Sequence, residues 1–311
     1  MLKYIQKNNY YFLLHFTVFL WGFTGILGKL IKTDSTTIVI LRTLIASVVI
    51  YLYLALKGKL KRVKRKNLVG YLGIGGLIAI HWVTFFESIK VSNVSVALIC
   101  LASSSFFVAI LEPIIYGKKI KTYELLLGLT VISGLSMIFN FESEYELGII
   151  LSLCSAFFAA LFTVLNAKFV KEDDAAHITL YEMLGAFVCT AIYYSLQDNT
   201  MMSILTMDNL DWFYTIILGT ICTAFAFLMG VYVMKELSPY TITISINMEP
   251  IYSILLALVI FKEDEKMSLG FYLGGLVILF TIFMNAYLKS KERKQKKMLT
   301  VNNNLDEKSP F

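Results

Sequence analysis

Residues 36 to 66 read TTIVILRTLIASVVIYLYLALKGKLKRVKRK. Residues 36–56 carry a single charged side chain, Arg42, whereas residues 57–66 carry seven: Lys57, Lys59, Lys61, Arg62, Lys64, Arg65 and Lys66. About 20 apolar residues in a helix cross the hydrocarbon core of a bilayer, so the first part is a membrane span. Short loops rich in Lys and Arg resist translocation, which places the second part on the cytoplasmic face.

The rest of the chain repeats this pattern. The 311 residues are 57% hydrophobic and 16% charged, with a mean hydropathy of +0.69. A soluble domain is only about 45–50% apolar. Apolar runs fall at 11–30, 36–56, 67–89, 93–116, 122–140, 147–167, 177–196, 211–234, 240–261 and 268–288. The loop with Lys118, Lys119 and Lys121 and the Lys-rich C-terminus then share the face of the 57–66 loop. The acidic loops, with Glu142, Glu144 and Glu146 and with Asp198, Asp208 and Asp211, take the other face. The expectation is an all-α integral membrane protein with ten transmembrane helices, both termini cytoplasmic, lying multi-pass in the cell membrane. Residues 289–311 are basic and of low hydropathy, and are expected to be a disordered cytoplasmic tail.

The net charge of +6 does not indicate nucleic acid as a partner. Both basic blocks abut apolar segments, as membrane anchors do, and no aromatic interleaving or reading motif accompanies them. Cys100, Cys154, Cys189 and Cys222 lie inside apolar runs without Cys-x-x-Cys spacing, so neither a disulfide framework nor a metal site is signalled. Lys3 and Lys7 precede an apolar run that has no small-residue cleavage site, and this first segment is read as a retained helix. No cofactor is implied.

The chain also resembles itself. Phe23-Thr24 ahead of Gly28-Lys29 matches Phe162-Thr163 ahead of Ala167-Lys168 at a shift of 139, and Arg42-Thr43-Leu44 falls on Tyr181-Glu182-Met183 at the same shift. Lys90-Val91-Ser92 parallels Lys235-Glu236-Leu237, and Gly128 and Gly134 parallel Gly270 and Gly275. Residues 1–140 and 141–288 are therefore read as two five-helix repeats. An odd number of passes turns the second repeat over, giving inverted repeats. In such proteins the substrate site lies near the midplane, between repeats that rock to alternate access.

Ten spans in a five-plus-five order, Trp21-Gly22 in helix one, Arg42 early in helix two, the Lys90 turn, Pro250 in helix nine, Phe261-Lys262-Glu263 and Gly270 together resemble the drug/metabolite transporter superfamily, in particular its EamA-type members. The resemblance runs over about residues 10–288. It implies a central cavity among helices one to four and six to nine, with helices five and ten peripheral. It also implies export or exchange of amino acids, metabolites or drugs. Where the family often has a mid-span proline in helix four, this chain has Ser103-Ser104-Ser105, and Glu112-Pro113 lies closer to the cytoplasmic end.

Ionisable groups inside spans are costly and tend to face protein or water. Glu249 heads the candidates for a small-molecule substrate site, followed by its neighbours Asn247 and Pro250, whose ring removes an amide donor. Trp21 and Thr24 sit mid-span in helix one, where a Trp offers a flat wall to a ligand. His81 and Glu87 are six residues apart and do not share a face. At most one lines the cavity, and His81 is read as a neutral ring satisfied by a hydroxyl. Ser103, Ser104, Thr220 and Thr223 complete the set. Arg42 is expected to snorkel to the interface. With no ATPase signature, uphill transport draws on a gradient, and a proton is the candidate coupling ion. The alternative is an integral membrane enzyme acting on a lipid-linked or small amphipathic substrate. The sequence lacks His-Glu-x-x-His and Gly-x-Ser-x-Gly, and Asp173-Asp174-Ala175-Ala176-His177 is read as a solvated turn.

Overall fold

Four short polar side chains standing just ahead of apolar runs start helices by capping them. In the computed structural model, which describes residues 2–117, 122–170, 172–196, 204–237, 242, 245, 246 and 248–306, Asp34 accepts from the Thr37 amide, Asn93 from Val96, Asp174 from Ala176 and Asp208 from Asp211. Each bond satisfies an N–H that the first helical turn leaves unpaired.

The helices are α1 (Leu2–Leu30), α2 (Ser35–Leu56), α3 (Arg65–Val91), α4 (Val94–Leu101), α5 (Ser104–Ile115), α6 (Thr122–Phe141), α7 (Glu146–Phe169), α8 (Ala175–Ser195), α9 (Asn209–Ile217), α10 (Ala226–Val233), α11 (Glu249–Phe261) and α12 (Leu269–Asp306). No strand occurs among the described residues. α4 with α5 forms one pass, as does α9 with α10. Among the described residues, eight segments are long and apolar enough to cross a bilayer. The fifth pass is the shorter apolar helix Leu126–Phe141, and α11, in the ninth place, has 13 residues. Large apolar side chains such as Leu56, Leu129, Ile192 and Leu276 stand exposed on the outside, where lipid would cover them. The last helix continues beyond the expected span end at 288. The basic stretch read as a structureless tail is helical to Asp306, because Lys, Glu, Arg and Gln favour helix even where hydropathy is low.

The two repeats exchange partners. α3 packs on α7 while its counterpart, the α9–α10 pass, packs on α1; α4 and α5 pack on α7 while α11 packs on α1; α2 meets α8, α4 meets α11, and α6 meets α12. This is the pattern that two-fold related halves generate. α6 and α12 form a peripheral pair and meet where a Cβ on Gly134 would come 2.9 Å from the Gly274 carbonyl oxygen.

Among the described glycines, α3 and α8 bring backbone against backbone. A Cβ on Gly75 would overlap the Glu182 carbonyl and lie 2.7 Å from the Ala186 nitrogen, and one on Gly185 would lie 2.8 Å from Leu72 Cα. The obstacles are backbone atoms, which cannot rotate away, so small residues here permit contact that side chains would prevent. Gly75→Ala is expected to destabilise the protein by about 1–3 kcal/mol through overpacking, read as a lower thermal midpoint. Gly73→Ala on the same helix meets open space and is expected to leave the midpoint unchanged.

Three passes depart from regular α-helix. The fourth breaks after Leu101, where Ser103 and Ser105 return their hydroxyls to the carbonyls of Cys100 and Ala102 and Phe106 N–H bonds Ser103 O. The serine run thus makes the break by competing for backbone acceptors. The eighth widens into a π-helical segment, Leu218–Phe225. In the ninth, Glu249 is the first residue of α11 rather than a mid-helix residue. Pro250 falls in the opening turn, where its missing donor is least costly.

Candidate functional site

Arg42 lies on α2 among Val39, Thr43 and Ala46, in a stretch that faces α8 and the π segment. The guanidinium does not snorkel: it is 1% exposed. Its Nε and Nη2 donate to Thr223 Oγ1 at 3.0 and 2.8 Å, and Cζ lies 3.9 Å from the Trp82 ring centroid and 5.3 Å from that of Phe86. Thr223 can accept because its own proton goes to the Leu218 carbonyl, five residues back, at 2.7 Å. Thr223 lies within the π segment, and π-bulges recur at functional sites. Nη1 is left without a partner.

Arg42 forms part of the wall of a cavity of about 110 Å³ bounded by α1, α2, α3, α4, α5, α7, α10 and the segment leading into α11. Several waters or a small metabolite fit, since one water needs about 10–15 Å³ measured this way. Trp21, Trp82, Phe85, Phe162 and Phe227 give the walls their aromatic character, and Glu249 supplies a carboxylate. Arg42 and Glu249 interact electrostatically, but among the described residues no ion pair within 4.0 Å joins them. Other polar atoms of the wall also lack partners: Thr24 Oγ1 and both ends of the Asn166 amide. Buried polar groups are seldom left unpaired in a native structure, and Arg42 Nη1, Thr24 Oγ1 and the Asn166 amide bring four such atoms to this one wall.

Of the residues singled out in the sequence, Trp21, Thr24, His81, Ser104 and Glu249 line this cavity. His81 is satisfied by Ser155, whose Oγ lies 2.7 Å from Nδ1 and also donates to the His81 carbonyl; this fits a ring protonated on Nδ1. The Ser155 hydroxyl is buried and is not part of the cavity wall, whereas the His81 ring is. Ser103, Thr220, Thr223 and Pro250 do not line it. Ser103 and Thr220 spend their hydroxyls on the carbonyls of Cys100 and Ile216, Thr223 holds Arg42, and Pro250 is packed in the first turn of α11. Asn247 lies outside the described residues. Sequence reasoning turned Arg42 outward and missed Asn166 and the aromatic wall beyond Trp21, namely Trp82, Phe85, Phe162 and Phe227. The charge of Arg42 was visible, but its inward direction depends on Thr223, 181 residues away.

The end of the bundle carrying residues 31–34, 92–93, 142–145 and 262–268 is tied together across the repeats. Glu265, 0% exposed, accepts from Lys29 Nζ at 2.9 Å, Val94 N at 3.1 Å, Ser95 N at 2.8 Å and Ser95 Oγ at 2.7 Å. It thus caps α4 with a carboxylate, favourable against the helix dipole. Lys32 reaches Asp208 at 3.0 Å. The Asp211 amide and Lys32 hold the Asp208 carboxyl below its ordinary value, and the bond to Asp208 raises the Lys32 ammonium. Glu142 accepts from the Ser268 amide. At the opposite end, Asn166 and Met234 bring the cavity wall close to the ends of α7 and α10. There Asp173 accepts from Tyr71 and Asn67; burial alone would raise its carboxyl, but these bonds hold it lower.

A model of the EamA-like transporter family matches the chain twice, over residues 8–140 and 146–287. The chain is similar to two proteins of Bacillus subtilis (strain 168) described as uncharacterized transporters. YoaV is 20% identical over 294 residues, 88% of this chain and 95% of the relative. YxxF is 21% identical over 275 residues, 85% and 86%. A solved crystal structure superposes with a TM-score of 0.64 at 16% identity, covering 88% of this chain and 96% of the other, a likeness of fold alone.

Proposed function

Because this membrane protein belongs to the EamA-like transporter family, we propose that it is a secondary transporter that exports or exchanges small zwitterionic metabolites, amino acids foremost, across the cell membrane by alternating access. The observation that carries this reading is the placing of the unpaired Arg42 Nη1 and the Glu249 carboxylate in one small aromatic-walled cavity. A buried charge without a partner is costly. A ligand with a carboxylate for Arg42 and an ammonium for Glu249 relieves both costs at once, and the aromatic faces suit the ammonium. The tied Lys29–Glu265 end is read as the closed outer face.

A thermal-shift screen of purified protein against amino acids, nucleosides and cationic drugs tests this. A ligand at about 100 Kd stabilises the native state by roughly 2.7 kcal/mol. Amino acids are expected to raise the midpoint; a shift confined to nucleosides or drugs would remove the zwitterion. Glu249→Gln, which keeps size and loses charge, is expected to impair flux in reconstituted vesicles while leaving the protein folded. Wild-type flux from this variant would refute a role in binding.

The bias of Lys and Arg toward one set of loops supports a cytoplasmic position for both termini. A cysteine introduced at Glu144 is then labelled by an impermeant maleimide in intact cells. Labelling only after permeabilisation would reverse the orientation.

A further inference from the structure

Glu182 plays no part in the site as described so far, yet it is the most isolated carboxylate in the bundle interior. It lies eight positions into α8, 0% exposed. Neither carboxylate oxygen has a hydrogen-bond partner. The neighbouring polar side chain is Asn166 of α7, whose amide is within reach of the Glu182 carboxyl as a hydrogen-bond partner, outside ordinary hydrogen-bond geometry. Asn166 is itself part of the cavity wall. Two buried polar side chains, Asn166 on the cavity wall and Glu182 on the residue whose carbonyl meets Gly75, therefore neighbour each other with no partner besides one another.

The titratable groups on the elements packed against α8 are exposed or occupied elsewhere. On α3, Tyr71 donates to Asp173, His81 is held by Ser155, Glu87 accepts from Ser35, Lys90 donates to the Ile31 carbonyl, and Arg65 and Lys66 are exposed. On α2, Arg42 is held by Thr223, and Tyr51 and Tyr53 are exposed. On α10, Tyr232 pairs with Tyr10. None of them compensates a negative charge on Glu182, and an uncompensated buried carboxylate is strongly disfavoured. A metal cation is a poor occupant: two carboxylate oxygens and one amide oxygen fall short of the roughly six or more that hard cations take. A proton needs only one.

We propose that Glu182, reached from the cavity past the Asn166 amide, is the proton-binding site through which this transporter couples to a proton gradient. The step balances simply. A hydronium in the cavity gives its proton to the Glu182 carboxylate, leaving water and a neutral acid that tolerates the closed crossing. When the crossing loosens and water reaches the carboxyl from the other side, the same proton leaves to that water. The main chain of Glu182 forms the contact with Gly75, so the charge of its side chain bears directly on whether α3 and α8 sit closed. This inference rests on the proposed transport function and adds the coupling ion and its carrier.

The test uses the full chain in proteoliposomes and two readouts. Infrared difference spectra across a pH titration, with no substrate present, report the carbonyl stretch of a protonated carboxyl and its shift in D2O. The wild type is expected to show a component that Glu182→Gln removes and Glu249→Gln does not. Counterflow of a radiolabelled amino-acid mixture, which needs no coupling ion, is compared with uptake driven by an imposed pH gradient. Glu182→Gln is expected to lose the gradient-driven acceleration while counterflow persists, and Glu182→Asp, which can still carry a proton, is expected to keep both. Size-exclusion profiles establish that each variant is folded; should the Gln variant fail there, a displaced infrared component in Glu182→Asp decides. An unchanged infrared spectrum in Glu182→Gln overturns the proposal, as does full gradient response in that variant. A wild type with the Glu182 component but no amino-acid counterflow would refute the substrate reading and leave the proton site standing.

Discussion

Glu265→Ala is expected to lower the stability of the transporter by about 3–5 kcal/mol, the range for removing one partner of a buried charge pair. The carboxylate is fully buried and accepts four hydrogen bonds, from Lys29, the amides of Val94 and Ser95, and the Ser95 hydroxyl. Alanine leaves all of these donors without their acceptor at once. The Lys29 side chain is 22% exposed and rehydrates in part, which places the result toward the lower end of the range. The two amides cannot, because they are held by the first turn of α4. Glu265→Gln keeps one acceptor oxygen and turns an amide donor toward other donors, so it is expected to fall between wild type and alanine. The contact also ties the end of the first pass and the start of the fourth to the second repeat. Its loss is therefore expected to raise the reactivity of Ser95→Cys toward an impermeant thiol reagent. Thermal midpoints and labelling rates measure the two effects separately. A Glu265→Ala protein that melts and labels like the wild type would mean that this end is held together by packing alone.

The fold was largely legible because hydropathy and charge bias act locally. A run such as 36–56 announces a span by itself, and the shift of 139 that matches Phe23-Thr24 to Phe162-Thr163 anticipates the exchange of helix partners seen in the bundle. The site was legible only where chemistry was unusual for its surroundings. Trp21, His81 and Glu249 are conspicuous in apolar helices, and all three line the cavity. Arg42 was conspicuous too, but a side chain long enough to snorkel gives no sign of its direction. Its partner Thr223 lies in the π turn at Leu218–Phe225, and a one-residue widening of a helical ladder leaves no period or motif in an apolar run. Thr223 was misread for the same reason: its hydroxyl serves Arg42 and the Leu218 carbonyl, not the cavity. Asn166 was passed over because, close to the end of an apolar run, it reads as a boundary residue until the fold sets it beside Glu182.

Arg42→Lys is expected to reduce substrate affinity and transport by about two orders of magnitude, although the charge is kept. The guanidinium does three things that an ammonium cannot do together. It spends two N–H groups of one planar fork on Thr223, it lies flat against Trp82, and it keeps a third N–H group, at Nη1, for a ligand. A lysine is a compact, strongly hydrated charge with no fork. A desolvated cation–π contact is worth about 2 kcal/mol, and a charge-assisted hydrogen bond about 1.5–3 kcal/mol. Losing most of one and part of the other gives roughly 3 kcal/mol, near a hundredfold at about 1.4 kcal/mol per decade. Thr223→Val removes the acceptor shared by Nε and Nη2 but leaves the guanidinium over the ring with Nη1 still free for the ligand, so its loss is expected to be smaller, about tenfold. If lysine transports as arginine does, Arg42 serves only to balance charge in the bundle. The double variant Arg42→Lys, Glu249→Gln supplies the last discrimination. Two groups holding opposite ends of one ligand are coupled through it, so their combined loss is expected to be less than the sum of the single losses. Strict additivity would mean that the two charges serve different molecules, and the zwitterion would have to be abandoned even if each variant were inactive.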